Sequence, residues 1–425
     1  MEGAPETRAS IEAVYRIEHA RLVARLTRVV RDVGIAEELA HDALVAALET
    51  WPTAGVPKSP GAWLMTTARH RAIDVVRHRR NAQPKHAAIA RELDEANVAP
   101  DHDARLDDDV GDDLLRLVFI ACHPSLSREA QVALTLRLVT GLTTHEIARA
   151  FLVPEPTIAQ RIVRAKKTLQ TESAPFELPP ASERATRLAA VLEVIYLVFN
   201  EGYAATLGDD WMRPALCEDA LHLGRTLAGL LPDEAEVHGL VALMELSASR
   251  TSARIDRHGE PILLLDQNRA HWDRLLIARG LASLERAEKL GGGGAYVLQA
   301  AISACHARAA RAEDTDWVRI AALYALLARV APSPIVELNR AVAVSMAFGP
   351  ETALPIVDAL AREPSMASYH LLPSVRADLL RRLGREDEAQ RELARAATLA
   401  QNAKEKAMLL ARIAGGARVA GDGES

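Results

Sequence analysis

Apolar residues recur every three or four positions along most of this chain, and few stretches alternate apolar and polar residues with a period of two. The first spacing places apolar side chains on one face of an α-helix, whereas alternation is typical of strands. The pattern predicts helices over 11–33, 36–51 and 60–80, and we expect the first to end at Gly34. The predicted fold class is therefore all-α.

The second predicted helix separates apolar from acidic residues. Its apolar stripe consists of Leu39, Ala43, Ala47 and Trp51, and Pro52 should end it. The acidic residues that lie away from this stripe are Glu38, Asp42 and Glu49. Taken alone, a charged helix face of this kind is usually solvated.

The third predicted helix carries many arginines. The residues expected to face a core are Trp63, one of Thr67 and Ala68, and one of Ile73 and Val75. Its other faces carry Arg69, Arg71, Asp74, Arg77 and His78. A helix that served packing alone would not need so many arginines, and a planar guanidinium suits phosphates and guanine edges. A nucleic-acid face is therefore the favoured interpretation.

A polar, acidic and proline-punctuated stretch follows over 81–110 and predicts a mobile linker, whose simplest role is a passive tether. A second helical unit should begin at Asp112. Ser127 is placed to cap a helix that closes at Gly141, and Thr143 with Glu146 forms a capping box before the next helix. These short helices predict a helix-turn-helix.

The last helix of this unit, in the sequence PEPTIAQRIVRAKKTL, has two distinct faces. Its apolar stripe consists of Ile158, Ile162, Ala165 and Leu169. Its polar, basic side carries Thr157, Gln160, Arg161, Arg164 and Lys167. Helix pairs of this shape also occur as plain packing units. The basic face favours insertion into a major groove.

About 250 residues follow Leu169, after the proline-rich boundary ESAPFELPPASE. Two segments have the spacing of tetratricopeptide repeats. The packing positions are Leu379, Gly384, Ala389, Leu393 and Ala396 in one, and Ala341, Gly349 and Ala353 in the other. The apolar helix over 188–199 has more hydrophobic surface than a solvated helix exposes, so we expect the extension to pack against one or both of the preceding modules.

Charge is distributed unevenly along the 425 residues, whose net charge is −6. The stretch 58–85 is basic, 91–113 is mostly acidic, and basic residues return at 161–167. This order predicts two phosphate-binding surfaces separated by a segment that DNA repels. No apolar run approaches the ~20 residues of a membrane span and the first residues do not read as a signal peptide, so we expect a cytoplasmic protein.

Most candidates for catalysis or metal binding have simpler explanations. The three cysteines form no CxxC pair, and the adjacent pairs Cys122-His123 and Cys305-His306 would diverge on a helix. The glycines at 291–294 lack the Lys-Ser/Thr of a phosphate loop and predict an interhelical turn, and Asp209-Asp210 predicts a capping turn. We expect no enzyme activity, metal or cofactor.

Two segments of the extension interrupt its helical rhythm. LVFNEGY should end an apolar helix in a polar turn, and RIDRHGEPILLLDQNRAHWD should contain a short hairpin around Gly259. A helix cap and a structural insertion would explain both. The alternative is an interdomain or signal-sensing surface formed by Asn200, Glu201, Tyr203, Asp266 and Trp272.

Residues 36–80 resemble region 2 of the extracytoplasmic-function (ECF) sigma factors. The segment that binds core polymerase in these proteins is similar to AEELAHDALVAALETW. The segment that reads and melts the promoter −10 element is similar to PGAWLMTTARHRAIDVVRHRR. The resemblance implies that Glu38 and Asp42 dock on the coiled coil of the polymerase β′ subunit. It places five residues at or near the melted −10 strand, namely Trp63, Arg69, Arg71, Asp74 and Arg77.

The helix-turn-helix resembles sigma region 4, whose second helix reads the −35 element. The resemblance thus assigns −35 contacts to Thr157, Gln160, Arg161, Arg164 and Lys167. It also implies that the acidic linker follows the RNA exit path of the polymerase, where negative charge can imitate RNA.

The whole chain is similar to the ECF subgroup with a long tetratricopeptide-like extension. The implied organisation is region 2 over 1–80, the linker over 81–110, region 4 over 111–172 and an α-helical regulatory domain over 180–425. The implied partners are core RNA polymerase through its β′ and β subunits, promoter DNA, and a signal or protein at the extension. Whether the extension inhibits or supports activity stays open.

Two other functions are compatible with parts of the pattern. A repeat-scaffold signalling protein with vestigial DNA-binding modules would also have the C-terminal repeats. An enzyme ranks third because the sequence has no triad, metal cluster or phosphate loop to support it.

Overall fold

The computed structural model describes residues 3–82, 103–151, 153–203, 212–257, 262–400 and 406–413. α-Helices and short 3₁₀ or π segments form its regular structure, which confirms the all-α prediction. The first eight helices are α1 Gly3–Val30, α2 Val33–Ala54, α3 Pro60–Ala82, α4 Asp103–Ala121, α5 Arg128–Thr135, α6 Thr144–Phe151, α7 Glu155–Thr171 and α8 Ala181–Tyr203. The next nine are α9 Pro214–Leu230, α10 Ala235–Ala248, α11 Arg274–Lys289, α12 Ala295–Arg308, α13 Trp317–Val330, α14 Pro334–Phe348, α15 Pro350–Leu360, α16 Leu371–Arg382 and α17 Glu386–Leu399.

The chain forms two compact units, Met1–Leu197 and Val198–Ser425, and the boundary falls within α8. In unit 1, α1 packs against α2, α3 and α4, and α5 and α6 pack against α7. In unit 2, consecutive helices pack against each other, most closely α10 with α11 and with α12, α13 with α14, and α16 with α17.

The first helix boundary differs from the prediction. α1 ends at Val30, Arg31 adopts a left-handed φ of 52°, and the Asp32 carboxylate accepts a hydrogen bond from the Ile35 amide at 3.1 Å. The expectation that Gly34 ends α1 is therefore wrong, because Asp32 caps α2 and Gly34 lies in the first turn of that helix.

The end of α2 also differs slightly. Pro52 lies inside its last turn, and the helix continues to Ala54. Gly55 ends it with a φ of +83°, a conformation that glycine adopts readily, and donates its amide to the Trp51 carbonyl at 2.9 Å.

The linker is shorter than predicted at its C-terminal end. Helix α4 begins at Asp103, so residues 103–110 are helical, and the prediction of a linker up to 110 is wrong there. Residues 83–102 lie outside the described residues.

The predicted capping signals of the helix-turn-helix are confirmed. The Ser127 hydroxyl accepts a hydrogen bond from the Ala130 amide at 3.3 Å. The Thr143 amide donates to the Glu146 carboxylate at 2.7 Å, and the Glu146 amide donates to the Thr143 hydroxyl at 3.1 Å. Between these caps, α5 passes into a π-helical turn, Leu136–Thr140, before Gly141 ends it with a φ of +74°.

The two predicted repeat-like segments form helix pairs in unit 2. α14 and α15 are joined at Gly349, and α16 and α17 are joined near Gly384, and both glycines have a positive φ. The predicted packing residues are buried, namely Leu379, Ala389, Leu393 and Ala396 in one pair and Ala341 and Ala353 in the other. The glycines at 291–294 lie between α11 and α12, as the interhelical-turn prediction requires.

Candidate nucleic-acid and polymerase interface

Helix α7 presents the predicted basic face away from the core. The four residues of its apolar stripe are buried, namely Ile158, Ile162, Ala165 and Leu169. Gln160, Arg164 and Lys167 are exposed, and Thr157 and Arg161 are half-buried. Because burial of the opposite stripe fixes the rotation of α7, these five polar side chains lie along its outer side.

Helix α3 has a similar division. Among residues 60–77 of this helix, Leu64, Ala68 and Ala72 are buried, whereas Ile73 and Val75 are only half-buried. Of the predicted −10 residues, Arg71, Asp74 and Arg77 are exposed, and Trp63 and Arg69 are half-buried. The Trp63 ring packs edge-on against buried Trp51 of α2, with ring centroids 5.3 Å apart.

The predicted polymerase-binding and −10 residues lie side by side. Glu38 and Asp42 are both exposed on α2. The Asp42 carboxylate lies 3.2 Å from the Arg71 guanidinium of α3, and both side chains are about half exposed. A surface ion pair of this kind contributes at most about 1 kcal/mol. Both side chains therefore remain available to a partner that offers a better contact.

A buried ion cluster joins α2 to the helix-turn-helix, and sequence reasoning missed it. Glu37, whose side chain is only 6% exposed, accepts a hydrogen bond from Arg137 Nε at 2.5 Å. Its second carboxylate oxygen is ion-paired with Lys166 of α7. Burial alone would raise the pKa of Glu37, but Lys166 and Arg137 outweigh that effect and lower the pKa.

Two neighbouring contacts extend this cluster. The His19 imidazole is buried and donates from Nε2 to the Arg137 carbonyl at 3.1 Å, since a carbonyl can only accept. Burial lowers the pKa of His19 to about 4, so the ring is neutral at neutral pH. The Gln170 amide of α7 donates to the Asp32 carboxylate at 3.0 Å. Within unit 1, helix α7 is thus held to α2, and the π-helical turn that carries Arg137 is held to α1.

The first part of the extension packs on the helix-turn-helix in the same unit. Arg187 of α8 donates to the Phe119 carbonyl of α4 at 3.0 Å. Arg128 of α5 donates to the Ala190 carbonyl at 3.3 Å and forms an ion pair with Glu193. The expectation that the extension packs against a preceding module is met by this helix.

Residues of the predicted interdomain or sensing surface make packing contacts within unit 2. Asn200, Glu201 and Tyr203 lie in the last turn of α8, not in a polar turn after it. Arg254 donates to the Tyr203 carbonyl, and its guanidinium lies 3.7 Å from the centre of the Tyr203 ring. Glu201 is ion-paired with Arg213, and each side chain is 13% exposed. These contacts hold the end of α8 to the rest of the unit.

The second predicted segment, RIDRHGEPILLLDQNRAHWD, contains both buried and exposed residues. Trp272 is only 3% exposed and is contacted by the Arg250 and Arg269 guanidinium groups, so its side chain is part of the packing of unit 2. Asp266 is exposed. The Ile262 amide donates to the Arg254 carbonyl at 2.7 Å. Gly259, on which the predicted hairpin turns, and Asp209-Asp210 lie outside the described residues.

Residues 14–82 match the family Sigma-70 region 2, and residues 116–169 match Sigma-70, region 4. Residues 187–288 match a family of unknown function, DUF6596. An uncharacterized protein of Rhizobium meliloti (strain 1021) is 44% identical over 387 residues, which cover 90% of each chain.

Named relatives match the N-terminal part. The ECF RNA polymerase sigma factor SigK of Mycobacterium sp. (strain KMS) is 33% identical over 154 residues, which cover 35% of this chain and 76% of that protein. The chain belongs to the family of ECF RNA polymerase sigma factors. The ECF RNA polymerase sigma factor SigC of Mycobacterium tuberculosis (strain CDC 1551 / Oshkosh) is 28% identical over 154 residues, 36% of this chain and 78% of that protein.

This ECF sigma factor is an alternative sigma factor with a fused C-terminal domain. The region 2 match ends at the last residue of α3, and the region 4 match runs from within α4 to within α7. Glu37 therefore belongs to region 2, and its partners Arg137 and Lys166 belong to region 4.

Across the described ranges, none of the helices of the ECF sigma factor has the length and hydrophobicity of a membrane span. No three His, Cys, Asp or Glu side chains in those ranges are grouped to hold a metal ion.

Proposed function

We propose that α7 reads the −35 element and that α3 reads the −10 element. The observation that carries this proposal is the outer face of α7, where Gln160, Arg164 and Lys167 are exposed opposite a fully buried stripe. Such a face can offer hydrogen-bond donors to base edges and phosphates without disturbing the core. Arg71, Asp74 and Arg77 give α3 a comparable exposed polar face.

The sigma-factor regions imply core RNA polymerase and promoter DNA as partners. We infer that Glu38 and Asp42 contact the β′ subunit, with the β subunit as a further contact. Both carboxylates are exposed on α2, one helical turn apart. Their position supports docking on a basic surface of the polymerase.

Replacing Glu38 and Asp42 together with arginine should weaken association with core polymerase by tenfold or more. Each change puts a positive charge where we expect a cationic partner surface, and both positions lie off the buried stripe of α2. A pull-down of the full chain with purified core polymerase measures the effect. The matched control is Glu177→Arg with Glu183→Arg, which makes the same charge change at exposed positions outside α2. Equal retention of both variants would show that the acidic face of α2 is solvated and does not bind the polymerase.

The extension is proposed to regulate the two DNA-reading modules. Helix α8 supports this role, since Arg187 and Glu193 contact region 4 directly while the end of the helix belongs to unit 2.

A chain that ends after Tyr203 should differ from the full chain by fivefold or more in transcription with core polymerase. This variant keeps α8 and its contacts with region 4. It removes only the part of the extension that we propose to be regulatory. Multi-round transcription at matched protein concentration measures the effect, and circular dichroism checks folding. Equal activity of the two chains would show that the extension does not regulate initiation.

A further inference from the structure

Unit 2 contains an open cleft with a volume of about 670 Å³. Its floor is α10, and its walls are α9 and α11. The lining residues of each helix lie at positions i, i+3 and either i+4 or i+7, which places them on one face. All of its lining residues lie within 187–288, the segment that matches the family of unknown function. The volume lies within the range of about 300–1,000 Å³ that is usual for small-molecule sites.

One part of the cleft is charged. Arg225 of α9 donates from Nε to Glu245 Oε1 at 2.9 Å, and its side chain remains 40% exposed. Glu245 lies on α10 with its side chain 3% exposed, and its Oε2 atom has no hydrogen-bond partner among the described residues. Arg279 lines the cleft from α11, is exposed, and forms no hydrogen bond or ion pair with another described residue.

His238 of α10 also lines the cleft and donates from Nε2 to the Pro232 carbonyl at 2.9 Å. The remaining lining residues are small or apolar. Ala228 and Gly229 form part of the α9 wall, Ala282 lies on the α11 wall, and Val241 lies on the floor. Apart from its chain neighbours and its own helix backbone, a Cβ atom added to Gly229 would meet no described atom within 4 Å, so this wall borders open space. Ser283 adds a hydroxyl one helical turn after Arg279.

These groups specify the charge of a ligand. With Glu245 ionised, Arg225, Arg279 and Glu245 carry a net charge of about +1, because Glu245 already balances one of the two arginines. Guanidinium groups bind carboxylates and phosphates alike. A single net positive charge matches a monoanion better than a phosphate dianion, and the small apolar walls match a compact hydrocarbon body.

We propose that this cleft binds a small organic monocarboxylate, with its carboxylate held by Arg279 and Arg225. Glu245 acts as the buried anchor that orients the Arg225 guanidinium. The Ser283 hydroxyl donates to the bound acid, and Ala228, Val241 and Ala282 contact its hydrocarbon part.

Saturation-transfer-difference NMR with the full chain tests this site. The probes are butyrate, hexanoate and benzoate, each compared with its neutral amide. We expect saturable binding by at least one acid and at least tenfold weaker binding by its amide. Arg279→Gln should weaken binding by that acid tenfold or more, because it removes a charge-assisted contact. Gly229→Leu should abolish binding, because the new side chain extends into open space in the cleft.

The matched control is Arg274→Gln, which removes an exposed arginine from the same helix outside the cleft and should leave binding unchanged. A melting curve for each variant separates lost binding from lost folding. Equal binding of acids and amides would overturn the proposal, as would binding that survives both cleft substitutions or no binding by any of the three acids. The assay contains neither polymerase nor DNA, so its failure leaves the promoter-reading proposal untouched.

Discussion

Replacing Arg161 and Arg164 together with alanine should reduce recovery of promoter fragments by the holoenzyme by tenfold or more. Both guanidinium groups lie on the polar side of α7, and the loss of one base contact costs about 1–3 kcal/mol. The buried stripe of α7 is unchanged, so the melting temperature should stay within about 1–2 °C of the wild type. Selection from a library of genomic fragments, with the protein bound to core polymerase, measures the effect.

The control for this experiment is Arg184→Ala with Arg274→Ala, which removes two exposed arginines from helices outside region 4. It should leave fragment recovery unchanged. The salt dependence adds a second readout, because each lost phosphate contact lowers the slope of log affinity against log salt by about one. If a folded Arg161→Ala/Arg164→Ala variant recovers promoter fragments as well as the wild type does, α7 is not part of the promoter interface.

Replacing Glu37 with glutamine should lower the free energy of unfolding by about 2 kcal/mol or more, because it leaves Arg137 and Lys166 without their buried counter-ion. Both cations are 23% exposed, so water compensates part of the loss. Urea unfolding of the full chain measures the change. Glu38→Gln is the matched control, since it removes the neighbouring carboxylate from an exposed position and should change stability by less than about 0.5 kcal/mol.

The pH dependence gives an independent test of the same cluster. The folded pKa of Glu37 is lowered from the ordinary value of 4.5, so its stabilisation is present above pH 4.5 and is lost as the pH falls through the folded pKa. Buried His19, with its pKa lowered to about 4, removes stability from both proteins between pH 6.5 and 4. The difference between wild type and Glu37→Gln should therefore shrink only below about pH 4.5. A difference in the free energy of unfolding that stays constant as the pH falls below 4.5 would contradict the assigned ion pair.

The Glu37 cluster also bears on promoter binding. By their designations, the −10 and −35 elements lie about 25 base pairs apart, or roughly 85 Å along B-DNA. A compact unit of this size has a radius of gyration of roughly 16 Å. Regions 2 and 4 cannot reach both elements at once while Glu37 holds them together. We therefore expect the contacts of Arg137 and Lys166 with Glu37 to open when the holoenzyme binds a promoter.

Much of the local structure was predictable from sequence. The buried stripe of α7, the Thr143–Glu146 capping box and the paired helices around Gly349 follow from spacing and from residue type at helix ends. Such features depend on residues within one or two helical turns of each other. The spacing of apolar residues along the sequence reveals relations over this distance.

The contacts between distant parts of the chain were not predictable in this way. Glu37 looks like its exposed neighbour Glu38, yet it pairs with residues 100 or more positions away. One available signal was its spacing from Val33 and Ala40, which places a carboxylate on a second apolar face of α2. The Arg225, Glu245 and Arg279 side chains of the cleft come from three helices, so no local pattern relates them.

Transcription of a fragmented genomic library by purified core polymerase, with and without the full chain, tests the central claim most directly. Sequencing of the transcript 5′ ends should reveal starts that require both the protein and the polymerase and that share a two-part upstream motif. The Arg161→Ala/Arg164→Ala variant should lose most of these starts, and the Arg184→Ala/Arg274→Ala control should keep them. A folded chain that binds core polymerase yet produces no new starts would contradict promoter recognition and favour a repeat scaffold with vestigial DNA-binding modules.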